Sequence, residues 1–434
     1  MKRLLLFLLL IGCSPLSQVD MPLTSVEQQP FITELPNGLT VTVKEMHALP
    51  LVTIQFWVHA GSKNEPAGNQ GIAHVFEHIW FKGTATQPVG SFHKRVETLG
   101  GELNAMTAHD WTMYFVTVPS DKFNEIFPNM VDLLLHPAFD ETEINKELQV
   151  IVEEQRMSFN QPERHLDDEF GLTLIDKHPY RNPIIGYKST ILNVTREELI
   201  NFYNTWYVPN NMNIVIAGDV DAQTVVRTVD EAFANFQPKP LPALDLPQEI
   251  PRTEPVYNSS YRDIGFNYVA VGFLGPKSND PDAYAMRVFN MIFGEAESSR
   301  LQEIVKKQKN LIVRGLSVFA PLNDLGVFES IIVVDPEKRN QATAELLVQL
   351  NRFKTEQVSD EELARAKRLI KAQRVKSKEE VFDVGNEIGQ AWIDGTLEDY
   401  SNYMKNIDAV TKEDIQRVVN KYFTAYTMYE LKPK

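Results

Sequence analysis

His74, Glu77 and His78 stand within the run Gly71-Ile72-Ala73-His74-Val75-Phe76-Glu77-His78-Ile79-Trp80-Phe81-Lys82-Gly83-Thr84. If that run is helical, the two histidines fall one turn apart and Glu77 lies beside them. Two neutral imidazole nitrogens so placed can hold Zn²⁺, and a neighbouring carboxylate can take a proton from water. The flanking Ile72, Val75, Phe76, Ile79, Trp80 and Phe81 predict that the helix is buried. Polar groups buried without partners cost several kcal/mol, and a metal ion is one of the few partners that satisfies all three side chains. The order His-x-x-Glu-His inverts the more familiar His-Glu-x-x-His.

A second helix is predicted from Glu141 to Met157, with Asp140 as its N-cap and acidic residues in its first turn. Glu147 and Glu154 fall two turns apart on one face. Val150 and Ile151 lie between them on or near that face, which predicts that both carboxylates turn inward. By itself this segment reads more readily as an ordinary acidic amphipathic helix.

Together the two segments resemble the pitrilysin or insulinase (inverzincin) family of zinc metallopeptidases, in particular its short two-domain members related to mitochondrial processing peptidase. Glu154 follows His78 by 76 residues, the family's interval to its zinc-ligating Glu, within a Val-x-x-Glu-Glu-like segment. Gly100-Gly101-Glu102-Leu103-Asn104-Ala105-Met106-Thr107, followed by Asp110, Thr112 and Tyr114, resembles the family's Gly-Gly-x-x-Asn-Ala-x-Thr strand. His178-Pro179-Tyr180, Pro183-Ile184-Ile185-Gly186 and Tyr207-Val208-Pro209-Asn210-Asn211-Met212 extend the match. The resemblance implies one Zn²⁺ per chain held by His74, His78 and Glu154, with Glu77 as the catalytic base. It implies that Glu147, at the family's second acidic position, orients a ligand or its helix. It also implies that the strand edge at Asn104 and Ala105 pairs with the substrate backbone. A buried Asn satisfying its own backbone is the plainer reading of Asn104. His47, His59, His93, His109, His136 and His165 lack partners at ligand spacing, and His178 reads as structural.

These residues need a scaffold, and 434 residues at 43% hydrophobic content suffice for two or more cored domains. A net charge of −15 argues against nucleic acid, whose phosphates need a basic face. Met1-Lys2-Arg3 and the apolar run Leu4 to Ile11 read as a signal peptide over 1–12. It ends at Leu10-Ile11-Gly12-Cys13, which resembles a bacterial lipobox and makes Cys13, the sole Cys, a lipidation site. With Ser14 next, the pattern resembles that of lipoproteins sorted to the periplasmic face of the outer membrane. Residues 13–30 then form a lipidated tether.

Asn37-Gly38 between alternating apolar residues predicts a hairpin, followed by a strand over Leu51 to Val58. Leu103 to Val118 reads as strand, and Lys122 to His136 and Arg196 to Trp206 as helices. Strands and helices mix without a βαβ rhythm, which predicts an α+β fold. The resemblance implies two homologous α/β layered domains of the LuxS/MPP-like metallopeptidase kind, an N-terminal zinc-binding domain over 31–237 and a substrate-holding domain over 256–434. The proline-rich stretch 238–255 is the linker. Beyond it Asn267 to Phe273 reads as strand, and Asp282 to Phe293, Glu361 to Lys376 and Lys412 to Tyr422 as helices.

Gly294-Glu295-Ala296-Glu297-Ser298-Ser299-Arg300-Leu301 resembles the family's Gly-x-x-x-Ser-Ser-Arg-Leu segment and makes Arg300 a substrate-binding candidate, with Arg314 a second. The family resembled then usually carries an Arg and a Tyr, seven residues apart, that contact substrate. Here the corresponding stretch places Val305 and Val313 at those positions. The expected activity is therefore zinc-dependent hydrolysis of peptides or unfolded polypeptides in an enclosed chamber. The expected assembly is a dimer, either of identical chains or with a homologous chain that supplies the Arg and Tyr. Two other classes fit parts of the pattern. One is a non-catalytic scaffold subunit, although such chains usually lose His or Glu from the motif. The other is a thioether-cleaving lyase with the same inverted motif, although those are shorter and use Cys.

Overall fold

The computed structural model describes residues 29–434, so the predicted signal peptide, Cys13 and most of the tether lie outside the described residues. The first half builds a sheet from β1 (Phe31–Glu34), β2 (Thr40–Glu45), β3 (Leu51–Val58), β4 (Glu102–Thr107), β5 (Thr112–Pro119) and β6 (Met212–Gly218), in the order β1-β2-β6-β3-β5-β4. The second half builds one from β7 (Val256–Arg262), β8 (Asn267–Gly275), β9 (Arg314–Pro321), β10 (Gly326–Val334) and β11 (Thr427–Pro433), in the order β7-β11-β8-β10-β9. Apart from β1 the two orders correspond strand for strand. β2 pairs parallel to β6 as β7 does to β11, and every other matched pair is antiparallel. The duplication that no internal sequence identity reveals is thus visible in topology. The segment 238–255 between the sheets contains neither helix nor strand.

Each half lends a helix to the other's sheet. Pro162–Leu174 lies on β8 and β11, and Val381–Ile393 lies on β3 and β6. The alternation of β3 explains the need: Val52, Ile54, Phe56 and Val58 enter the first half's core, while Trp57 points to the opposite face. There it packs with Met113, Val215, Val384 and Ile388. With both faces covered, β3 is a nearly continuous buried strand. Leu166, Phe170 and Leu174 make the reciprocal contact with Ala270, Tyr429 and Leu431.

The predicted single strand over Leu103 to Val118 is instead the hairpin β4–β5, broken where Ala108 N–H donates to Trp111 O at 2.8 Å. Asp110 in that turn is drawn into a buried socket. Its carboxylate meets Lys63 Nζ at 2.6 Å, accepts from Asn323 N–H at 3.1 Å and accepts from Tyr180 OH. Asp324 in the β9–β10 turn enters the same socket, 3.4 Å from both Lys63 Nζ and His178 Nε2 and accepting from Tyr180 OH at 3.1 Å. The tips of the two edge hairpins are thereby tied together. Buried charges so paired resist separation, because removing one partner strands the other.

Candidate metal centre

The motif run is helical from Ile72 to Trp80, with Ile72, Val75, Phe76, Ile79 and Trp80 buried. Its start is fixed by Glu65, whose carboxylate accepts the N–H groups of Gly71 at 2.9 Å and Ala73 at 3.1 Å. Those are donors that a helix N-terminus leaves unpaired. Gly71 has φ 100°, and a Cβ there would lie 2.7 Å from Ile185 O and 3.0 Å from the Cα of Gly186. Gly186, at φ 76°, packs as tightly against Gln70. The motif glycine and the distant Ile-Gly segment are two sides of one contact.

The second helix runs from Glu141 to Asn160, and Asp140 caps it by accepting from Thr142 N at 2.9 Å and Glu143 N at 3.0 Å. Glu147 and Ile151 are buried, but Val150 is 49% exposed, against the expectation that it would turn inward with Ile151. Val150 and Ile151 stand on opposite sides of the Glu147–Glu154 line, and the helix rolls Ile151 into the core.

His74, His78 and Glu154 offer ligand atoms that all lie within 4.8 Å of one another. The imidazoles approach edge to face with centroids 4.8 Å apart, and His78 Nε2 lies 3.6 Å from Glu154 Oε2. His78 Nδ1 lies 3.1 Å from Glu147 Oε2, whose other oxygen meets Lys82 Nζ at 2.7 Å. Thr107 Oγ1 donates to Glu77 Oε2 at 2.5 Å. Among the described residues no other histidine joins the cluster. His47 pairs with Asp219, His136 with Asp132, and His59 and His178 belong to the region of the socket.

The electrostatics suit a cation. Burial, with help from the nearby His78, lowers His74 to about 4 and keeps it neutral with a lone pair. Its Nδ1 is buried without a hydrogen-bond partner. Burial also works against charge on His78, but Glu147 and Glu154 outweigh it and raise that imidazole to about 9. The carboxylates that hold this proton would equally attract a divalent ion, and binding one requires the proton to leave. Burial pushes the Glu77 carboxyl upward against the Thr107 hydrogen bond, the direction a general base near neutral pH needs. Two imidazoles and one carboxylate are the donor set with which zinc retains a position for water or substrate, so these residues fit the ion.

β4 is the free edge of the first sheet. Asn104 is exposed on it, with its Oδ1 accepting from Ala105 N–H at 2.9 Å, and the Ala105 side chain is buried. The structure pairs Arg300 within the second half and buries Val305. Arg300 is bound to Glu362 through Nε at 2.7 Å and Nη2 at 3.1 Å and stacked 4.2 Å over Phe353, while its Nη1 is buried without a hydrogen-bond partner. Val305 is wholly buried in the second core and stands eight residues before Val313, not the family's seven. The residue at that spacing is Lys306, which is partly exposed. Val313, just before β9, is 45% exposed, and Arg314 pairs with Glu163. The roles of Lys82, Thr107 and Glu65 were not legible in the motif, although Lys82 at i+4 from His78 carried a spacing signal.

Residues 40–188 match the family described as insulinase (peptidase family M16), and residues 193–370 match the peptidase M16 inactive domain. The zinc protease PqqE of Helicobacter pylori is 30% identical over 413 residues, covering 92% of each chain. The probable mitochondrial-processing peptidase subunit beta of Arabidopsis thaliana is 27% identical over 407 residues, covering 90% of this chain and 76% of that one. The crystal structure of a protease from Helicobacter pylori superposes with a TM-score of 0.89 at 27% identity, over 93% of this chain and all of that one. With matched domains in both halves and a relative of this identity along nearly its whole length, the chain belongs to the insulinase family of peptidases, M16.

Proposed function

We propose that this protein is a zinc-dependent endopeptidase in which His74, His78 and Glu154 hold one Zn²⁺ per chain and Glu77 is the general base. The observation that carries the reading is the meeting of those three ligand atoms within 4.8 Å, with Glu77 on the same helix and fixed by Thr107. Zinc, when bound, supplies a Lewis acid that polarises the scissile carbonyl and makes water acidic enough to ionise near neutral pH. Glu77 takes the proton from the attacking water and returns it to the leaving amine as the peptide bond breaks. Thr107 engages one carboxylate oxygen of Glu77 and leaves the other for that proton. An extended peptide adds to the free edge of β4 beside Asn104 and Ala105, an arrangement that reads backbone more than side chains and suits unfolded polypeptides.

The test is zinc content together with cleavage of a quenched unstructured peptide. Glu77→Gln is expected to keep stoichiometric zinc and lose turnover, and Glu154→Gln to lose both. Zinc lost from Glu77→Gln, or full turnover in it, would refute the assignment. Loss of metal from a Glu153 variant with Glu154→Gln unaffected would move the ligand by one residue. A scaffold role would show as stoichiometric zinc with no cleavage in the wild-type chain under any pairing.

The chain works in a dimer that encloses the peptide. Clefts of about 430 and 510 Å³ lie elsewhere in the chain, and neither is lined by His74, Glu77, His78 or Glu154. A second body is what would close over this open site. The kinship with processing-peptidase beta subunits, and an Arg300 already committed to Glu362, favour a homologous partner that supplies the substrate clamp. Full activity from a homogeneous preparation of this chain alone would defeat the heterodimer, whereas weak activity rescued by the partner would support it. Lipidation at Cys13, with placement on the periplasmic face of the outer membrane, completes the proposal.

A further inference from the structure

We propose that Lys82 is a positioning residue for the metal site, acting through Glu147 to fix the ring of His78; the inference rests on the zinc reading above. The path is continuous in space. Lys82 Nζ meets Glu147 Oε1 at 2.7 Å, and Glu147 Oε2 meets His78 Nδ1 at 3.1 Å. His78 Nε2 then faces Glu154 Oε2 at 3.6 Å. A carboxylate has two oxygens and rotates freely between partners unless both are held. Lys82 takes one, so the other is left at Nδ1. With Nδ1–H donated there, Nε2 is the nitrogen that faces His74 and Glu154, and its lone pair is the one exposed to an ion once the second proton leaves.

The local backbone makes the arrangement rigid. Lys82 lies just past the C-terminus of the motif helix, where its N–H donates to Ile79 O at 2.9 Å, and where a cation is favoured by the helix dipole. Its side chain is 24% exposed and that of Glu147 is 11% exposed, so the pair is shielded from solvent far better than an ordinary surface bridge. The helix Glu141–Asn160 that carries Glu147 also carries Glu154, so the bridge ties the two ligand-bearing helices beside the cluster itself. Two effects of removing Lys82 oppose each other. The negative charge left on Glu147 would attract a cation, but a buried carboxylate stranded with one partner turns toward water and releases the ring. Orientation wins because the ring nitrogen must point at the ion, whereas charge acts from a distance.

Partners behind a ligand typically cost 10- to 100-fold in metal affinity when removed, and Lys82 is one step further out, so about tenfold is expected. The measurement is zinc affinity of the full chain by chelator competition, together with the visible spectrum of the Co²⁺-substituted protein. Lys82→Met should bind zinc about tenfold more weakly and shift the Co²⁺ bands, while the metal-free protein keeps the wild-type circular dichroism spectrum and melts somewhat lower for loss of the bridge. Lys82→Arg, which keeps the charge, should recover most of the affinity. In a Glu147→Gln background, Lys82→Met should weaken binding no further. Wild-type affinity and spectrum in Lys82→Met, or an equal loss with and without Glu147, would overturn the inference. A wild-type chain that binds no stoichiometric zinc would instead refute the metal reading and this inference with it.

Discussion

Gly389→Ala tests how the second half braces the sheet that carries β4. Gly389 lies within Val381–Ile393, the helix lent to β3 and β6. A Cβ there would sit 2.0 Å from Trp57 Cε2, 2.3 Å from Nε1 and 2.5 Å from Cδ2. Carbon contacts settle at roughly 3.5–4.0 Å, so helix and indole must part by about 1.5 Å. The indole has nowhere to go: it is fully buried, and its Nε1–H donates to Gln55 Oε1 at 2.9 Å. Gln55 in turn donates to Phe382 O at 2.9 Å, a bond across the same joint that the shift would break. Overpacking costs about 1–3 kcal/mol and the lost hydrogen bond about 1 kcal/mol. Replacing a mid-helix glycine returns about 1 kcal/mol, leaving a net loss near 2 kcal/mol. Gly171→Ala is the control. It lies within Pro162–Leu174, where the nearest atom to a new Cβ is Arg181 O at 3.9 Å, so only the helical gain remains. Thermal melting followed by circular dichroism should show Gly389→Ala lower by roughly 4–8 °C and Gly171→Ala unchanged or higher. Equal melting of the two variants would refute the argument from close packing.

Three further outcomes follow from other parts of the chain. Hydrogen bonding to His178 and attraction to Lys63, against the opposing effect of burial, hold the Asp324 carboxyl well below the usual range. Because that folded value is depressed, the stability it contributes is present above the unfolded value near 3.9 and is lost as pH falls through the folded one. Because its side chain is 37% exposed and solvent screens these partners, Asp324→Asn should cost only about 1 kcal/mol in urea at pH 7, with the gap to wild type narrowing below about pH 4; a gap that is constant down to pH 3 would refute it. His78→Ala should lose stoichiometric zinc as Glu154→Gln does, and a variant that retained it would remove His78 from the ligand set. Cys13→Ser should release the protein from membranes, and unchanged sedimentation without a detectable acyl chain would refute the anchor.

The sequence by itself specified whatever is decided within one turn or one strand. The helix Arg196–Trp206 and the strand Leu51–Val58 follow from local periodicity, and Asp140 announces a helix start because its side chain caps donors two and three residues on. His74, Glu77 and His78 are legible for the same reason, since helical spacing alone puts them together. Glu154 was reached only through the family's interval, because nothing local makes a glutamate 76 residues away a neighbour of His78. Tertiary structure decided the rest. Lys82 meets Glu147 because another helix brings it there, and Arg300 is held at Nε and Nη2 by Glu362, 62 residues later, a pairing no local pattern announces. The duplicated sheets and the exchanged helices Pro162–Leu174 and Val381–Ile393 left no local trace, since strand order and the burial of a second sheet face depend on which distant segment comes to cover it.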